Sequence, residues 1–163
     1  MIRKMRTKLP LVVAMTLCFF MASQQATAQK RKKKKAKIEN VIKTARTYLG
    51  TPYQWGGMSH KGIDCSGLMY NSFKSIGIKL PRTSKEQSKT GKKKGWEAIK
   101  PGDIVFFRFK KGKEKWWHSG MVTQVGTDQI KFIHASSSRG VVESNLLSDY
   151  YKDNVKNFRR VIR

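Results

Sequence analysis

The sequence lacks several signatures that would assign it to a common class of protein. It contains no Gly-rich phosphate loop and no internal repeat. It also has neither an H-E-x-x-H segment nor a paired Cys-x-x-Cys, so a metal site is the weaker interpretation of its histidines and cysteines. With 163 residues the chain is long enough for one domain with a proper core and too short for two ordinary ones.

Acidic residues are scarce. Only 10 Asp and Glu stand against 35 Lys and Arg, which gives a formal net charge of +25. Such a chain is drawn to polyanions, and nucleic acid, anionic lipid and bacterial wall polymers all qualify. Which of these polyanions is the partner depends on the compartment in which the protein works. The first residues of the chain indicate that compartment.

Residues 1–28 have the three parts of a secretory signal peptide. Met1–Lys8 is basic, Leu11–Met21 is almost wholly apolar, and Ala26-Thr27-Ala28 has the form of an A-x-A cleavage site. The apolar run is too short to span a bilayer. We therefore expect an exported protein that begins at Gln29 and works in the periplasm or at the cell wall.

Export would leave the chain with a single cysteine. Cleavage removes Cys18, so Cys65 has no partner for an intramolecular disulfide. A lone thiol outside the cytoplasm is exposed to oxidation and is better explained by chemistry than by packing. Lipoprotein processing at Cys18 is the less favoured route, because the bulky Leu17 precedes it.

Residues 29–37 are predicted to form a basic, disordered arm. Lys30–Lys37 reads KRKKKKAK, a block of like charge that cannot bury any surface. Behind a signal peptide it suits an electrostatic tether to an anionic wall or membrane surface. A plain solubilising tail is the alternative.

The stretch Gly62–Gly77 predicts a helix with a cysteine in its first turn. Its apolar residues recur at three- and four-residue spacing, Asp64 is a good N-cap and Gly77 a natural stop. The helix dipole would stabilise a thiolate at Cys65. The alternative is that Cys65 is a buried, small apolar residue.

Residues 38–163 predict an α+β domain in which helices precede an antiparallel sheet. An amphipathic helix runs from Ile38 to Leu49, and a capped short helix begins at Ser84 or Thr83. Thr90–Gly95 is expected to be a surface loop. Five stretches have strand composition: 104–109, 116–125, 129–135, 141–143 and 158–163.

Two of the three histidines fall on neighbouring predicted strands. His118 opens the second strand and His134 lies near the end of the third, so a hairpin brings them to the same end of the sheet, where Cys65 can face them. A cysteine nucleophile, a histidine that takes its proton and a third group that orients this histidine form a common arrangement for nucleophilic catalysis. A bulge could change the register of these two strands and turn one ring to the other face. His60 lies in the loop before the cysteine helix and is expected at the surface.

Six runs follow one another along the predicted domain: TPYQWGG, GIDCSGLMYNSF, LPRTSKEQ, KPGDIVFF, HSGMV and FIHASSSRGV. Taken in this order, they resemble the NlpC/P60 family of papain-like cysteine peptidases, which cleave bacterial cell-wall peptides. The resemblance covers roughly residues 38–163 and agrees in order and kind of motif.

The resemblance implies a papain-like fold and a role for each matching residue. Cys65 would be the nucleophile, His118 the general base and His134 the polar residue that orients the base. Tyr53 would line the cleft near the nucleophile and help to form the oxyanion hole. Asp64 and Ser66 would bind the peptide. No cofactor and no metal are implied.

The implied substrate is a peptidoglycan stem peptide. The commonest cut in the family lies between γ-D-glutamate and a diamino acid, and a subset cuts the D-alanyl crosslink instead. An amidase or acyltransferase on the same scaffold stays open. A catalytically silent wall-binding protein is a further alternative. A nucleic-acid partner is not expected, because the export signal opposes it and much of the charge lies in a tail. A monomer is expected.

Overall fold

The structure is a computed structural model that describes residues 9–163, with side chains from residue 24 onward. The predictions made for residues 1–8, and for the side chain of Cys18, lie outside the described residues. The chain divides into two compact units, residues 1–36 and 37–163. Within the part of the chain that is described, no helix is long and apolar enough to cross a membrane.

Residues 30–37 are helical, where the sequence predicted an arm without regular structure. They belong to α1 (Leu9–Arg46), and all of them are exposed except the partly buried Lys34. Lysine and alanine are good helix formers, and a helix leaves each ammonium group in water. Like charge therefore keeps this stretch on the surface without preventing a helix.

The predicted amphipathic helix is the last part of α1. Val41, Ile42 and Ala45 form its buried face, and the helix ends at Arg46 rather than Leu49. Turns then lead to Gly50, which has a φ of +80°. These buried residues belong to the larger apolar core of the second unit.

The helix α2 (Cys65–Lys74) confirms the predicted cysteine helix. Asp64 caps it by accepting a hydrogen bond from the Gly67 N–H at 2.6 Å. Gly77, with a φ of +78°, lets the chain turn back so that the Ile78 N–H reaches the Phe73 carbonyl at 3.1 Å. Two short strands form a hairpin just before α2, β1 (Met58–Ser59) and β2 (Gly62–Ile63). The short helix α3 (Ser84–Gln87) follows, with Thr83 as its N-cap.

Six antiparallel strands form the main sheet, in the order β3-β8-β4-β5-β6-β7. A short helix, α4 (Asp149–Lys152), connects the last two strands along the chain. The predicted order of helices followed by an antiparallel sheet is confirmed. The strands are β3 (Lys92–Lys94), β4 (Ile104–Lys111), β5 (Glu114–Val125), β6 (Ile130–Ser136), β7 (Gly140–Asn145) and β8 (Val155–Arg160).

The strand β3 corrects the prediction of a surface loop over Thr90–Gly95. Its three lysines pair with Phe158, Arg159 and Arg160 at one edge of the sheet. Charged residues are common on edge strands because they discourage pairing with a further chain, so lysine-rich composition does not exclude a strand there.

The sheet separates two apolar cores. On one face, α1 and α2 pack against residues that include Phe106, Met121 and Ile133. On the other face, Phe107 and Phe132 pack with Tyr151 of α4 and with Phe158. Cys65, in the first turn of α2, lines one cavity with His118 of β5 and His134 of β6, and the candidate site is found there.

Candidate active site

Cys65 lies in the first turn of α2 and is only 7% exposed. Its Sγ lies 3.3 Å from the hydroxyl oxygen of Ser84, and that hydroxyl lies 3.0 Å from the Ser119 hydroxyl. The serine of α3 thus connects the cysteine helix to the strand that carries His118. The thiol is buried among polar groups, which is unlike the environment of an inert apolar cysteine.

His118 and His134 meet as the strand pattern predicted. The pairs Met121↔Ile133 and Val122↔Phe132 set the register of β5 and β6, and continuing it places His134 opposite Gly120. The bulge in this pair lies between Val122 and Gln124, beyond the histidines. The two rings are perpendicular, and His118 Nε2 lies 2.9 Å from His134 Nδ1.

Gly120 makes room for this pair of rings. A Cβ at this position would lie 2.6 Å from the Phe132 ring and 3.1 Å from the Cβ of His134. Any side chain would therefore displace the segment that holds His134. The close packing behind the two histidines therefore explains why a glycine occupies this position of the run HSGMV.

The environment of Cys65 favours its thiolate. Burial raises the pKa of the thiol, but the charge of His118 and its hydrogen bond lower it, and the Ser84 hydroxyl and the Ser119 backbone N–H add to that effect. Together they outweigh burial and bring the pKa from 9.0 down to about 7. A thiol with a pKa of about 7 is substantially ionised near neutral pH.

His134 is buried and stays neutral. It is 2% exposed and stacks on the Phe132 ring at 4.7 Å between centroids. Burial, and then the charges of His118 and Arg139, lower its pKa to about 3. A neutral imidazole at this point can accept a hydrogen bond from His118 without adding charge beside it.

Tyr53 stands beside the cysteine as a protonated phenol. It pairs with Ile63 in an isolated bridge, which fixes the loop before β1 against the segment that leads into α2. Burial raises its pKa to about 12, and the negative charges of Cys65 and Asp64 add to this effect. Tyr53 is therefore a hydrogen-bond donor throughout the range in which the thiol titrates.

Two cavities meet at Cys65 and form one cleft. The first, of about 360 Å³, is bounded by His118, His134 and the turn that carries Arg139. The second, of about 520 Å³, is bounded by the start of α3 and the part of the β4–β5 hairpin near its turn. Both share five lining residues, of which Trp55 is 87% exposed: Tyr53, Trp55, Cys65, Trp116 and Trp117.

A sequence profile described as the NlpC/P60 family matches residues 50–160. This chain belongs to the NlpC/P60 family. The match covers the turn after α1, the cysteine helix and nearly the whole sheet, including all six residues that the sequence singled out for a site.

Similar proteins carry the same domain within longer chains. A γ-D-glutamyl-L-lysine dipeptidyl-peptidase of Bacillus subtilis is 35% identical over 126 residues, which are 77% of this chain and 41% of that protein. Murein DD-endopeptidase MepS/murein LD-carboxypeptidase of Escherichia coli is 37% identical over 116 residues, 71% of this chain and 58% of that protein. The alignments thus span about half the length of these relatives.

The crystal structure of an NlpC/P60 family protein from Bacillus cereus has the same fold. It superimposes with a TM-score of 0.69 at 33% identity, over 77% of this chain and 40% of that chain. The agreement places the α+β architecture of residues 37–163 among NlpC/P60 domains.

In this NlpC/P60 domain Asp64 is tied to Arg82, which the sequence analysis did not assign to the site. Arg82 donates to Oδ1 at 3.0 Å and to Oδ2 at 2.6 Å. The Ser66 hydroxyl and the backbone N–H groups of Gly56 and Gly67 also donate to this carboxylate. Burial opposes ionisation, yet these hydrogen bonds lower the pKa of Asp64.

This arrangement accounts for a negative charge next to a thiolate. The carboxylate of Asp64 is neutralised by Arg82, and the same arginine also donates to the Ser66 hydroxyl at 2.8 Å. Asp64 and Ser66 are 6% and 5% exposed, although both line the second cavity. Their hydrogen bonds organise the start of α2. Arg82 stands in the run LPRTSKEQ, from which only the cap of a short helix was predicted. Its place in that run is the signal that could have assigned it to the site.

His60 is exposed, as predicted, and stacks on Tyr48 with ring centroids 4.0 Å apart. Among the side chains that the structure describes, no group of three His, Cys, Asp or Glu could hold a metal ion.

Proposed function

We propose that this chain is a cysteine endopeptidase that hydrolyses peptidoglycan stem peptides, with the γ-D-glutamyl–diamino acid bond as its target. The observation that carries the proposal is the chain of contacts from a buried thiol of pKa about 7 to His118 and on to His134 at 2.9 Å. The names of the Bacillus and Escherichia relatives, a γ-D-glutamyl peptidase and a murein endopeptidase, support the substrate class.

In the proposed mechanism His118 takes the proton of Cys65, and the thiolate attacks the carbonyl carbon of the scissile amide. The Nε2–H of the resulting imidazolium donates to His134 Nδ1, which holds the ring in place. His118 then gives its proton to the leaving amine as the carbon–nitrogen bond breaks. Water, deprotonated by His118, hydrolyses the thioester and restores the thiol.

The oxyanion of the tetrahedral intermediate needs hydrogen-bond donors. The backbone N–H of Cys65 lies in the first turn of α2, where helical geometry provides no carbonyl partner. The Tyr53 hydroxyl, with its pKa of about 12, is the second donor that we propose. Donors that the fold holds before the substrate binds give the strongest electrostatic stabilisation, which supports this choice of donors.

The charge of the second cavity suits an acidic peptide. Its lining includes Arg82, Lys85, Arg108 and Lys115, while its one carboxylate, Asp64, already pairs with Arg82. The γ-D-glutamyl residue of a stem peptide carries a free α-carboxylate, which such a lining attracts. We propose that Tyr53, Asp64 and Ser66 border the site for this acyl part of the substrate.

The test is digestion of purified peptidoglycan and of soluble muropeptides, with products identified by mass. We expect fragments split after D-glutamate with the wild-type protein and no products with Cys65→Ala. Loss of crosslinked dimers alone would replace the proposed bond by the D-alanyl crosslink, which the Escherichia relative's name favours. Binding to sacculi without any product from the wild-type protein would contradict the enzyme proposal and favour a silent wall-binding protein.

We propose further that residues 1–28 direct export, that the mature protein is a periplasmic or wall-associated monomer, and that Lys30–Lys37 holds it to an anionic wall or membrane surface. The exposed lysines of this helical stretch support the electrostatic part. Replacing the residues 32–35 by glutamine should reduce sedimentation with sacculi at low salt and have less effect at high salt. Unchanged sedimentation at low salt would contradict the tether.

A further inference from the structure

The group that orients His118 is itself held from behind by two hydroxyls. His134 Nδ1 faces His118, and the opposite nitrogen, Nε2, lies 3.1 Å from the hydroxyl oxygen of Ser144 and 3.2 Å from that of Tyr151. Ser144 stands on β7 and Tyr151 on α4. Two further elements therefore converge on the ring nitrogen that does not face His118.

The proton count of His134 decides what these hydroxyls do. A neutral imidazole carries one N–H, and the His118 imidazolium is supported only if His134 Nδ1 offers its lone pair. The proton of His134 must then lie on Nε2 and needs an acceptor. One N–H shared between two oxygens is a common three-centre arrangement, whereas two hydroxyl protons directed at one nitrogen lone pair would repel each other.

Arg139 completes the arrangement, because its Nη2 lies 3.3 Å from the Ser144 oxygen and 3.4 Å from the Tyr151 oxygen. A guanidinium only donates, so each oxygen uses one lone pair for Arg139 and keeps the other for His134 Nε2–H. The positive charge of Arg139 also opposes a second proton on His134. The ionisable groups that face His134 are His118 from β5, Arg139 from the β6–β7 turn and Tyr151 from α4.

We propose that Ser144, Tyr151 and Arg139 are positioning residues that fix His134 in the tautomer with its proton on Nε2, so that Nδ1 always accepts from His118. The proposal rests on the proposed function for its catalytic consequence. The tautomer itself is a property of the free protein and can be tested without any substrate.

The test reads the tautomer directly. In the full chain labelled with ¹⁵N-histidine, the nitrogen chemical shifts and two-bond couplings of His134 should show a protonated Nε2 and an unprotonated Nδ1. In Ser144→Ala/Tyr151→Phe, both acceptors are lost, and the shifts should move toward those of a mixture of tautomers. The assignment uses His60→Gln, since the chain has only three histidines.

The matched control is Tyr150→Phe, which removes a hydroxyl from the neighbouring residue of α4. Tyr150 is 63% exposed, so its loss should leave the His134 shifts unchanged. The single variants Ser144→Ala and Tyr151→Phe each keep one acceptor and should show a smaller change; they also serve if the double variant fails to fold. A proton on Nδ1 of His134 in the wild-type protein would overturn the proposal.

Kinetics distinguish this proposal from the proposed function. On muropeptides the double variant should lose about 10-fold or more in kcat, the scale seen for second-layer partners of a functional histidine, with KM little changed. A tautomer that behaves as expected in a protein that hydrolyses no muropeptide would refute the proposed function alone. Unchanged shifts and unchanged kcat in the double variant would refute the positioning role alone.

Discussion

The contact between His118 and Cys65 predicts how the reactivity of the thiol depends on pH. Burial opposes the thiolate, and His118 is the first of the groups that overcome it. The perturbation that isolates this effect is His118→Gln, which keeps a polar side chain but removes the charge. His60→Gln is the matched control, because His60 is exposed and stacks on Tyr48.

The expected magnitude follows from the position of the pKa. The difference between 9.0 and about 7 corresponds to about 3 kcal/mol in favour of the thiolate. Without His118, only the Ser84 hydroxyl and the Ser119 backbone N–H oppose the effect of burial, so the pKa of Cys65 should rise to about 9. At neutral pH the thiolate fraction should then fall from about one half to about one hundredth, with alkylation about 50-fold slower.

The assay is the rate of iodoacetamide reaction with Cys65 across a pH series, measured by intact mass. The wild-type protein and His60→Gln should both show a midpoint near 7. A midpoint that stays near 7 in His118→Gln would show that His118 does not lower the pKa of Cys65, and would assign the low pKa to the helix terminus and its neighbouring hydrogen bonds instead.

Three further predictions address the surroundings of the site. Arg82→Met removes the charged partner of the buried Asp64 carboxylate and should lower the free energy of unfolding in urea by about 1–3 kcal/mol at neutral pH. The control Arg46→Met breaks an exposed pair with Glu143 and should lower it by about 0–1 kcal/mol. Because the pKa of Asp64 is lowered in the folded protein, this difference should disappear as the pH falls through that lowered value, and a cost that persists in strong acid would contradict it. Tyr53→Phe should lower kcat on muropeptides by about 10-fold or more with little change in KM, since it removes an oxyanion donor, and an unchanged kcat would remove Tyr53 from the oxyanion hole. Gly120→Ala should destabilise the domain by about 1–3 kcal/mol because its Cβ would meet the Phe132 ring at 2.6 Å, whereas Gly95→Ala, with nothing within 4 Å, should be nearly neutral; equal stabilities would be the contrary result.

The sequence predicts those parts of the site that depend on local pattern. Asp64 as N-cap, Cys65 in the first turn and Gly77 as the stop all follow from one stretch of helical spacing, and the structure bears them out. The meeting of His118 and His134 follows from strand alternation across one hairpin. Each of these predictions rests on the periodicity of one helix or one hairpin.

The predictions that failed, and the residues that were missed, depend on how separate elements pack against one another. Lys92–Lys94 forms a strand because β8, at the end of the chain, offers it an edge. Arg82 belongs to the site because α3 and α2 pack together and bring it to Asp64. Ser144 and Tyr151 reach His134 through the sheet and α4. Local composition carries no signal for such pairings.

Residues 30–37 illustrate a different limit. A run of lysines predicts exposure, and these residues are exposed, but charge alone does not say whether the exposed backbone is helical. Helix propensity of lysine and alanine favours the helix that is found.

In the proposed mechanism Cys65 forms a covalent bond with the acyl half of a stem peptide. Mass spectrometry of the protein after rapid acid quenching of its reaction with a soluble muropeptide detects this bond. We expect a transient adduct on the peptide that contains Cys65, with the mass of the fragment ending in D-glutamate, and no adduct in Cys65→Ala. Release of muropeptide fragments by Cys65→Ala at the wild-type rate, with no adduct in either protein, would rule the mechanism out.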